Sequence, residues 1–209
     1  GMTVTVLNPV MEDVNNLYQS WRKAAVDRAQ TIPNAPLEAF DKIAGVQVDS
    51  GATLLKNDGC RNQAVDSIAS HAFLFSFTGR TFIHGGDACS WQIENGLRAA
   101  GLTAPDGSFK ADAMLVPYQG SDRNVTPEFF RRIKADHYLF TGNGRHSNPE
   151  SATLRMILEA RRGDIYWFEF VNPQMEKRIS AKSWNAFFAE FPSSEYGYRR
   201  VFRSSVRVP

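Results

Sequence analysis

Three apolar runs in the middle of the chain each end at a polar or glycine-rich turn, and a helical pattern follows each turn. The turns are Gly85-Gly86-Asp87, Pro117-Tyr-Gln-Gly-Ser121 and Asn143-Gly-Arg-His-Ser-Asn148. This alternation of strand and helix is typical of a parallel or mixed sheet with helices packed on it. The carboxyl ends of such strands meet at one edge, where loops form binding sites. The three turns are therefore predicted to lie close together.

The predicted elements on either side continue this alternation. A β-branched run at Thr3–Leu7 predicts a strand, and apolar residues at helical spacing predict a helix from Glu12 to about Ala29. A strand pattern over 66–77 leads into a tight turn at Thr78-Gly79-Arg80, which indicates a hairpin. Further strands are predicted at 113–116, 137–140, 164–171 and 198–208, and apolar residues mark further helices within 93–100, 129–133, 154–158 and 183–191.

Residues 31–65 form the least regular part of the chain. They carry two prolines and three glycines and are interpreted as a long irregular segment with some local structure. A loop of this length in a compact domain is often functional or covers another part of the fold. The simplest organisation is one domain over residues 1–209, of the α/β class at its border with α+β.

The composition is that of an ordinary globular protein, with 43% hydrophobic and 22% charged residues. The 15 phenylalanines predict a phenylalanine-rich core. A net charge of +2 is too small to indicate nucleic acid or a membrane surface as partner. No run of about 18 apolar residues occurs, so no membrane span is expected.

The cysteines and the N-terminal residues bear on the compartment. Cys60 and Cys89 are far apart in sequence and show no CxxC spacing, so we expect no disulfide. No basic region followed by an apolar one begins the chain, so a signal peptide is not expected. Both observations favour a reducing cytoplasm.

Asp87 and His146 are the residues of the three turns best suited to chemistry. The Asp87 carboxylate is a hard oxygen donor beside two glycines, although it could instead cap the following helix. His146 lies in a polar loop, where it is either functional or simply exposed to solvent. Asn148 is interpreted as a helix N-cap. Ser121 lacks the G-x-S-x-G pattern of a serine hydrolase.

The ordered motifs resemble the C-terminal half of metallo-β-lactamase-fold hydrolases, and most closely the hydrolase domain of DNA-uptake competence proteins. The resemblance extends over roughly residues 3–172, and in that branch an Asp at the position of Asp87 bridges two metals. It is carried by Ser67-Ile-Ala-Ser-His-Ala-Phe-Leu-Phe, Gly79-Arg80, Ile83-His-Gly-Gly-Asp87, Val116-Pro-Tyr-Gln-Gly-Ser121 and Arg145-His-Ser-Asn148-Pro149.

The resemblance implies half of an αββα sandwich with an incomplete metal site. The family motif His-x-His-x-Asp-His is not found in the chain, Tyr118-Gln119 stands where the family has His-His, and Asn148 stands where it has the last histidine ligand. Asp87 and His146 remain as metal candidates, which is fewer than the three or four ligands that zinc requires. The full set of candidate residues at the site edge is Asp87, Tyr118, Gln119, Ser121, Asn143, His146 and Asn148.

The expected function is that of a degenerate, non-catalytic half-domain that acts as an interaction or scaffold subunit or as the C-terminal piece of a larger hydrolase. A half-sandwich exposes an apolar sheet face, so we expect a homo-oligomer, a complementary half-domain, or cover from residues 31–65. The isolated chain is then expected to carry no cofactor. The alternative is a phosphodiester, ester or lactam hydrolase completed by a missing N-terminal half, which would bind Zn or Mn.

Nucleic-acid binding is a third hypothesis that we consider and do not favour. It would need a basic face, whereas the alternative is a set of solvated arginines on helices and strands. Because the net charge is only +2, solvated arginines are preferred to a nucleic-acid-binding face. The residues concerned are Arg131, Arg132, Arg161, Arg162, Arg199, Arg200 and Arg203.

Overall fold

The computed structural model describes residues 1–29, 60–61, 65–144, 146–172, 175 and 181–202. Within these ranges, the side chains of residues 21–22, 24–29, 65–66 and 181–182 are not described. The irregular segment predicted at 31–65 lies almost entirely outside the described residues. The same holds for Arg203 and the remainder of the final predicted strand.

Seven strands form one mixed sheet, and their order in the sheet is their order in the sequence. The first three strands pair antiparallel, and the third to the seventh pair parallel. The predicted α/β class with a mixed sheet is therefore confirmed. The strands are β1 (Met2–Asn8), β2 (Ala72–Phe77), β3 (Arg80–His84), β4 (Phe109–Leu115), β5 (Ile133–Phe140), β6 (Tyr166–Phe170) and β7 (Tyr198–Phe202).

Helices connect the parallel strands, and the connections follow one another across the sheet. Right-handed crossovers between strands in sequential order place their helices on the same face of the sheet. None of the helices in the described ranges is both long enough and apolar enough to cross a bilayer. The helices are α1 (Met11–Ala29), α2 (Val65–Ile68), α3 (Ser90–Ala99), α4 (Pro127–Arg132), α5 (Ser151–Ala160), α6 (Ala181–Ala189) and α7 (Ser193–Tyr196).

Several strand boundaries differ from the prediction, among them the start of β5, which lies at Ile133, and two of the differences have a clear physical reason. The strand predicted over 66–77 is divided into α2 and β2, because a short helix occupies its first residues. At the junction of the two elements, the Asn8 side chain donates hydrogen bonds to the carbonyls of Ile68 and Ser70 at 2.8 and 2.6 Å. Strand β4 begins earlier than predicted, at Phe109. Its charged residues mask the apolar pattern, and Lys110 forms an ion pair at 2.9 Å with Asp136 on the neighbouring strand.

The core lies on the helix-bearing face of the sheet. Ile83, Met114, Tyr138 and Phe168 stand side by side on four adjacent strands, and all four are fully buried. The ring of Phe130 in α4 lies 5.9 Å from that of Tyr138, which fixes this helix on the sheet. The predicted phenylalanine-rich core is therefore observed.

The residues before and after these four point to the opposite face, because side chains alternate along a strand. His137 and Trp167 stack there with ring centroids 6.0 Å apart, and Arg199 lies over the Trp167 ring. Nδ1 of His137 lies 3.0 Å from a carboxylate oxygen of Glu169, which is fully buried. His137 is thus a hydrogen-bonded residue of the sheet, as expected for a histidine in an apolar strand.

Arg161 joins the end of α5 to the sheet. Its guanidinium is 3% exposed and donates to Asp164 at 2.7 Å, to the carbonyl of Ala135 at 2.5 Å and to the hydroxyl of Tyr138 at 3.0 Å. Burial raises the pKa of the Tyr138 hydroxyl. Burial also favours the protonated form of Asp164, but hydrogen bonds from Arg161 and Lys134 outweigh it and lower the pKa of that carboxyl.

Candidate functional site

A cleft of about 520 Å³ lies at the carboxyl edge of β3, β4 and β5, where the three turns meet. Six of the seven predicted site residues line it, while Asn143 lies half-buried in the adjoining loop and does not. Sequence reasoning missed Arg123 and Glu150, which follow the predicted turns. The lining residues are Asp87, Tyr118, Gln119, Ser121, Arg123, His146, Asn148 and Glu150.

The backbone at the rim of the cleft is held in an uncommon conformation. Tyr118, Gln119 and Gly120 are consecutive left-handed residues, with φ values of 48°, 57° and 90°, and Ser147 has a φ of 64°. A non-glycine residue in this region costs about 1–3 kcal/mol and persists where surrounding contacts hold it. Such residues cluster at functional sites, so the rim geometry marks the cleft as a candidate site.

Hydrogen bonds between the turns account for this conformation. The Tyr118 N–H donates to the carbonyl of Gly86 at 2.8 Å, and the Glu150 N–H donates to the carbonyl of Gly120 at 2.9 Å. The side-chain amide of Asn148 donates to the carbonyl of Tyr118 at 3.1 Å. The three turns therefore form one hydrogen-bonded unit.

The interpretation of Asn148 as a helix N-cap is wrong. Helix α5 begins at Ser151, and Glu150 occupies the N-cap position without a side-chain capping bond. Asn148 instead holds the Tyr118 turn, 30 residues away in sequence. An N-cap signal read from neighbouring residues cannot detect such a distant acceptor.

Gly86 allows two turns to approach closely. A Cβ atom added at this residue would lie 2.2 Å from the carbonyl oxygen of His71, and its φ is 54°. Both facts exclude a side chain without local rearrangement. The glycines beside Asp87 therefore serve backbone packing at the cleft, as their position at the end of a strand indicates.

Asp87 lies on the exposed rim of the cleft. Its N–H donates to the Ser70 hydroxyl at 2.9 Å, and its carbonyl accepts a hydrogen bond from the Asn124 side chain at 2.9 Å. The N-cap of α3 is Cys89, so the alternative in which Asp87 caps this helix is not observed. These backbone bonds fix Asp87 on the cleft wall.

Ser121 and Glu150 form a side-chain hydrogen bond on the cleft wall. The Ser121 hydroxyl is 3.2 Å from a Glu150 carboxylate oxygen, and Ser121 is 4% exposed. No hydrogen bond joins Ser121 to His146 within the described residues. The serine is thus paired with a carboxylate rather than an imidazole, which differs from a Ser-His-Asp triad.

The two predicted metal candidates share the cleft but do not form a metal site by themselves. Asp87, His146 and Glu150 all line it. In the part of the chain that the structure describes, no three His, Cys, Asp or Glu side chains come close enough to hold a metal ion. The described residues therefore do not provide the three or four ligands of a zinc centre.

Cys60 and Cys89 form a disulfide, so the prediction of unpaired cysteines is wrong. Their Cα atoms lie 6.0 Å apart, and the fold brings Cys60 to the N-cap of α3. The Arg61 N–H donates to the carbonyl of Arg123 at 2.8 Å, which places this link beside the cleft. The cytoplasmic location stays a prediction, but it loses the support of unpaired cysteines.

Most arginines of the nucleic-acid hypothesis contact other residues of the chain. Arg161 is buried, and Arg203 lies outside the described residues. The other five take part in contacts within the chain: Arg131 with Glu128, Arg132 with Glu94, Arg162 with Glu195, Arg199 with Trp167 and Arg200 with Phe188.

Comparison of the chain with protein-family models, with curated proteins and with solved structures gave no match.

Proposed function

We propose that this chain is a metallo-β-lactamase-like half-domain that is not catalytic by itself and acts as an interaction subunit. The order of the three turns along the chain supports the relationship. The observation that carries the interaction role is a group of exposed apolar side chains on the sheet, which we call the β1–β2 patch. It consists of Met2, Val4, Val6 and Phe77.

The β1–β2 patch is continuous across two strands. Met2 is paired with Phe77 in the register of the sheet, Val4 with Phe75, and Val6 with Phe73. The four patch residues are 63%, 45%, 58% and 57% exposed, in the order Met2, Val4, Val6, Phe77. Contiguous exposed apolar surface of this kind marks an interaction site.

The occupant that we propose is a second copy of the chain. Strands β1 and β2 contain no charged residue, so two copies of the patch meet without repulsion. A two-fold interface requires a self-complementary surface, and an uncharged apolar patch satisfies this requirement. Strand β1 is also at the edge of the sheet. It contains none of the charged residues that normally protect an edge strand from pairing with another chain.

Light scattering coupled to size-exclusion chromatography tests this proposal. The chain should show a mass above that of a monomer, increasing with concentration. Val4→Glu places a charge in the apolar contact, where desolvation is costly, and should give a monomer.

Thr3→Glu is the matched control, since Thr3 is exposed on the same strand but faces the other side of the sheet. Thermal unfolding must show that both variants fold. A monomeric wild-type chain at all concentrations would refute association with a second copy. Equal masses for Val4→Glu and Thr3→Glu would exclude the β1–β2 patch as the contact.

A second candidate function is a metal-dependent hydrolase completed by another segment. The observation that favours it is the common cleft of Asp87, His146 and Glu150. An additional segment would have to supply the missing ligands, with Zn or Mn as the expected metal.

Metal retention tests whether the cleft holds a metal ion without another segment. The purified chain is incubated with Zn²⁺ and Mn²⁺, desalted and analysed by mass spectrometry for bound metal. Near-stoichiometric metal that is lost in Asp87→Ala but retained in Asp106→Ala would favour the hydrolase. Absence of metal would show that the isolated chain has no metal site of its own, as the proposed non-catalytic subunit requires.

A further inference from the structure

Every residue that lines the cleft carries a polar group. These eight residues carry charged, amide, hydroxyl or imidazole groups, and none of them is aliphatic. Most small-molecule sites are largely apolar and have few polar groups. A ligand that replaces water in this cleft must therefore exchange hydrogen bonds with the wall over most of its surface.

The wall offers hydrogen-bond acceptors and donors together. Asp87 and Glu150 supply carboxylate oxygens, which accept, and Arg123 and Gln119 supply N–H groups, which donate. No carboxylate within the described residues forms an ion pair with Arg123. Two carboxylates on one wall disfavour an anionic ligand, and the guanidinium on the same wall disfavours a simple cation.

A neutral hydroxyl group matches this mixed wall, because it donates one hydrogen bond and accepts two. Neighbouring hydroxyls can thus bond to a carboxylate and a guanidinium at the same time. Charged partners make such bonds roughly twice as strong as neutral ones, which offsets the loss of water.

Tyr118 adds an apolar surface at the rim. Its side chain is 37% exposed, and the left-handed backbone that carries it is held by Gly86 and Asn148. A tyrosine ring on such a backbone has only two rotatable side-chain bonds, so it loses little conformational entropy on binding, and it can pack against the C–H face of a sugar ring.

From these observations we propose that the cleft binds a neutral, hydroxyl-rich ligand, a saccharide or polyol. The volume of about 520 Å³ lies within the range of small-molecule sites, about 300–1,000 Å³, and admits one or two sugar rings. This binding activity is separate from the association of two copies, since the cleft lies at the carboxyl edge of β3, β4 and β5.

Saturation-transfer NMR titrations test the proposal on the wild-type chain, with EDTA present to remove any contribution of metal ions. The probes are D-glucose, N-acetyl-D-glucosamine, maltose and myo-inositol, with sodium phosphate and glycylglycine as an anion and a zwitterion. We expect saturable binding of at least one hydroxyl-rich probe, and weaker or no binding of the other two.

Two variants remove opposite sides of the hydrogen-bonding wall. Asp87→Asn and Arg123→Ala should each weaken saccharide binding about tenfold, because each removes a charge-assisted hydrogen bond. Glu159→Gln and Arg98→Ala are matched controls on exposed residues outside the cleft and should bind as the wild type does.

Three results would overturn the proposal. These are no binding of any hydroxyl-rich probe, stronger binding of phosphate or glycylglycine, and equal weakening in the control variants. Association of the chain is measured separately by light scattering, so failure of one proposal does not decide the other.

Discussion

The disulfide between Cys60 and Cys89 should contribute a large part of the stability of this fold. Its cysteines are separated by 29 residues in sequence. For a loop of this length, the chain-entropy relation gives about 12 cal/mol/K of lost entropy in the unfolded chain, or about 3.6 kcal/mol at 25 °C. Native domains are stable by about 5–15 kcal/mol, so reduction should remove a substantial fraction.

Urea denaturation with and without a reducing agent measures this contribution. With an m value of about 2–3 kcal/mol/M, breaking the bond should lower the urea midpoint by about 1–2 M. The corresponding decrease in Tm is roughly 7–14 °C for a chain of this size. The double variant Cys60→Ala/Cys89→Ala should resemble the reduced protein and show no further response to the reducing agent.

Two results would refute this reasoning. One is alkylation of both cysteines in the unreduced native protein, which would show that no disulfide is present. The other is an unchanged urea midpoint after mass spectrometry has shown complete reduction. In the second case, packing of Cys60 beside α3 would stabilise the fold without the covalent bond.

Three further predictions concern residues that hold the fold together. Arg161→Ala should destabilise the protein by about 2–4 kcal/mol in urea denaturation, because the buried Ala135 carbonyl and Tyr138 hydroxyl lose their donor. Arg162→Ala removes an exposed ion pair with Glu195 and should cost less than about 1 kcal/mol. Equal losses of stability in the two variants would contradict this prediction. Gly86→Ala should lower the Tm more than Gly101→Ala does. Both glycines have positive φ, but only the Cβ added at Gly86 meets a carbonyl oxygen, that of His71. A larger decrease of Tm in Gly101→Ala would contradict the close approach of Gly86 to His71. Because the pKa of Asp164 is lowered in the folded state, the folded protein binds fewer protons at this carboxyl than the unfolded chain does. The ionised Asp164 therefore stabilises the fold above the unfolded pKa of about 4, and this stabilisation is lost as the pH falls through the folded pKa. Asp164→Asn should therefore show a shallower decrease of Tm on acidification, measured by scanning fluorimetry, and parallel curves would show that Asp164 contributes nothing.

Local sequence signals were sufficient for much of the fold. The hairpin was predicted from Thr78 and Gly79, both of which adopt positive φ in the turn. The helix predicted within 129–133 is observed as α4, and at its start the Thr126 hydroxyl accepts a hydrogen bond from the Phe129 N–H. These signals are readable because the interacting groups are at most a few residues apart.

The candidate site was predicted in part. The end-of-strand rule placed Asp87, Tyr118 and His146 at one edge of the sheet, and all three line the cleft. Arg123 and Glu150 were missed because each lies just beyond a turn, where a charged residue has no distinctive local pattern. Their position depends on how α5 and the Tyr118 turn meet across the sheet edge.

The sequence by itself determined the alternation of strands and helices, because hydrophobic periodicity and turn residues act over a few residues. Tertiary structure decided which distant groups meet: Cys60 with Cys89, Asn148 with Tyr118, and Ser121 with Glu150. Each of these pairs is separated by about 30 residues, and local propensity contains no information about such distances. The cleft, its polar lining and the exposed β1–β2 patch exist because the sheet brings these residues together.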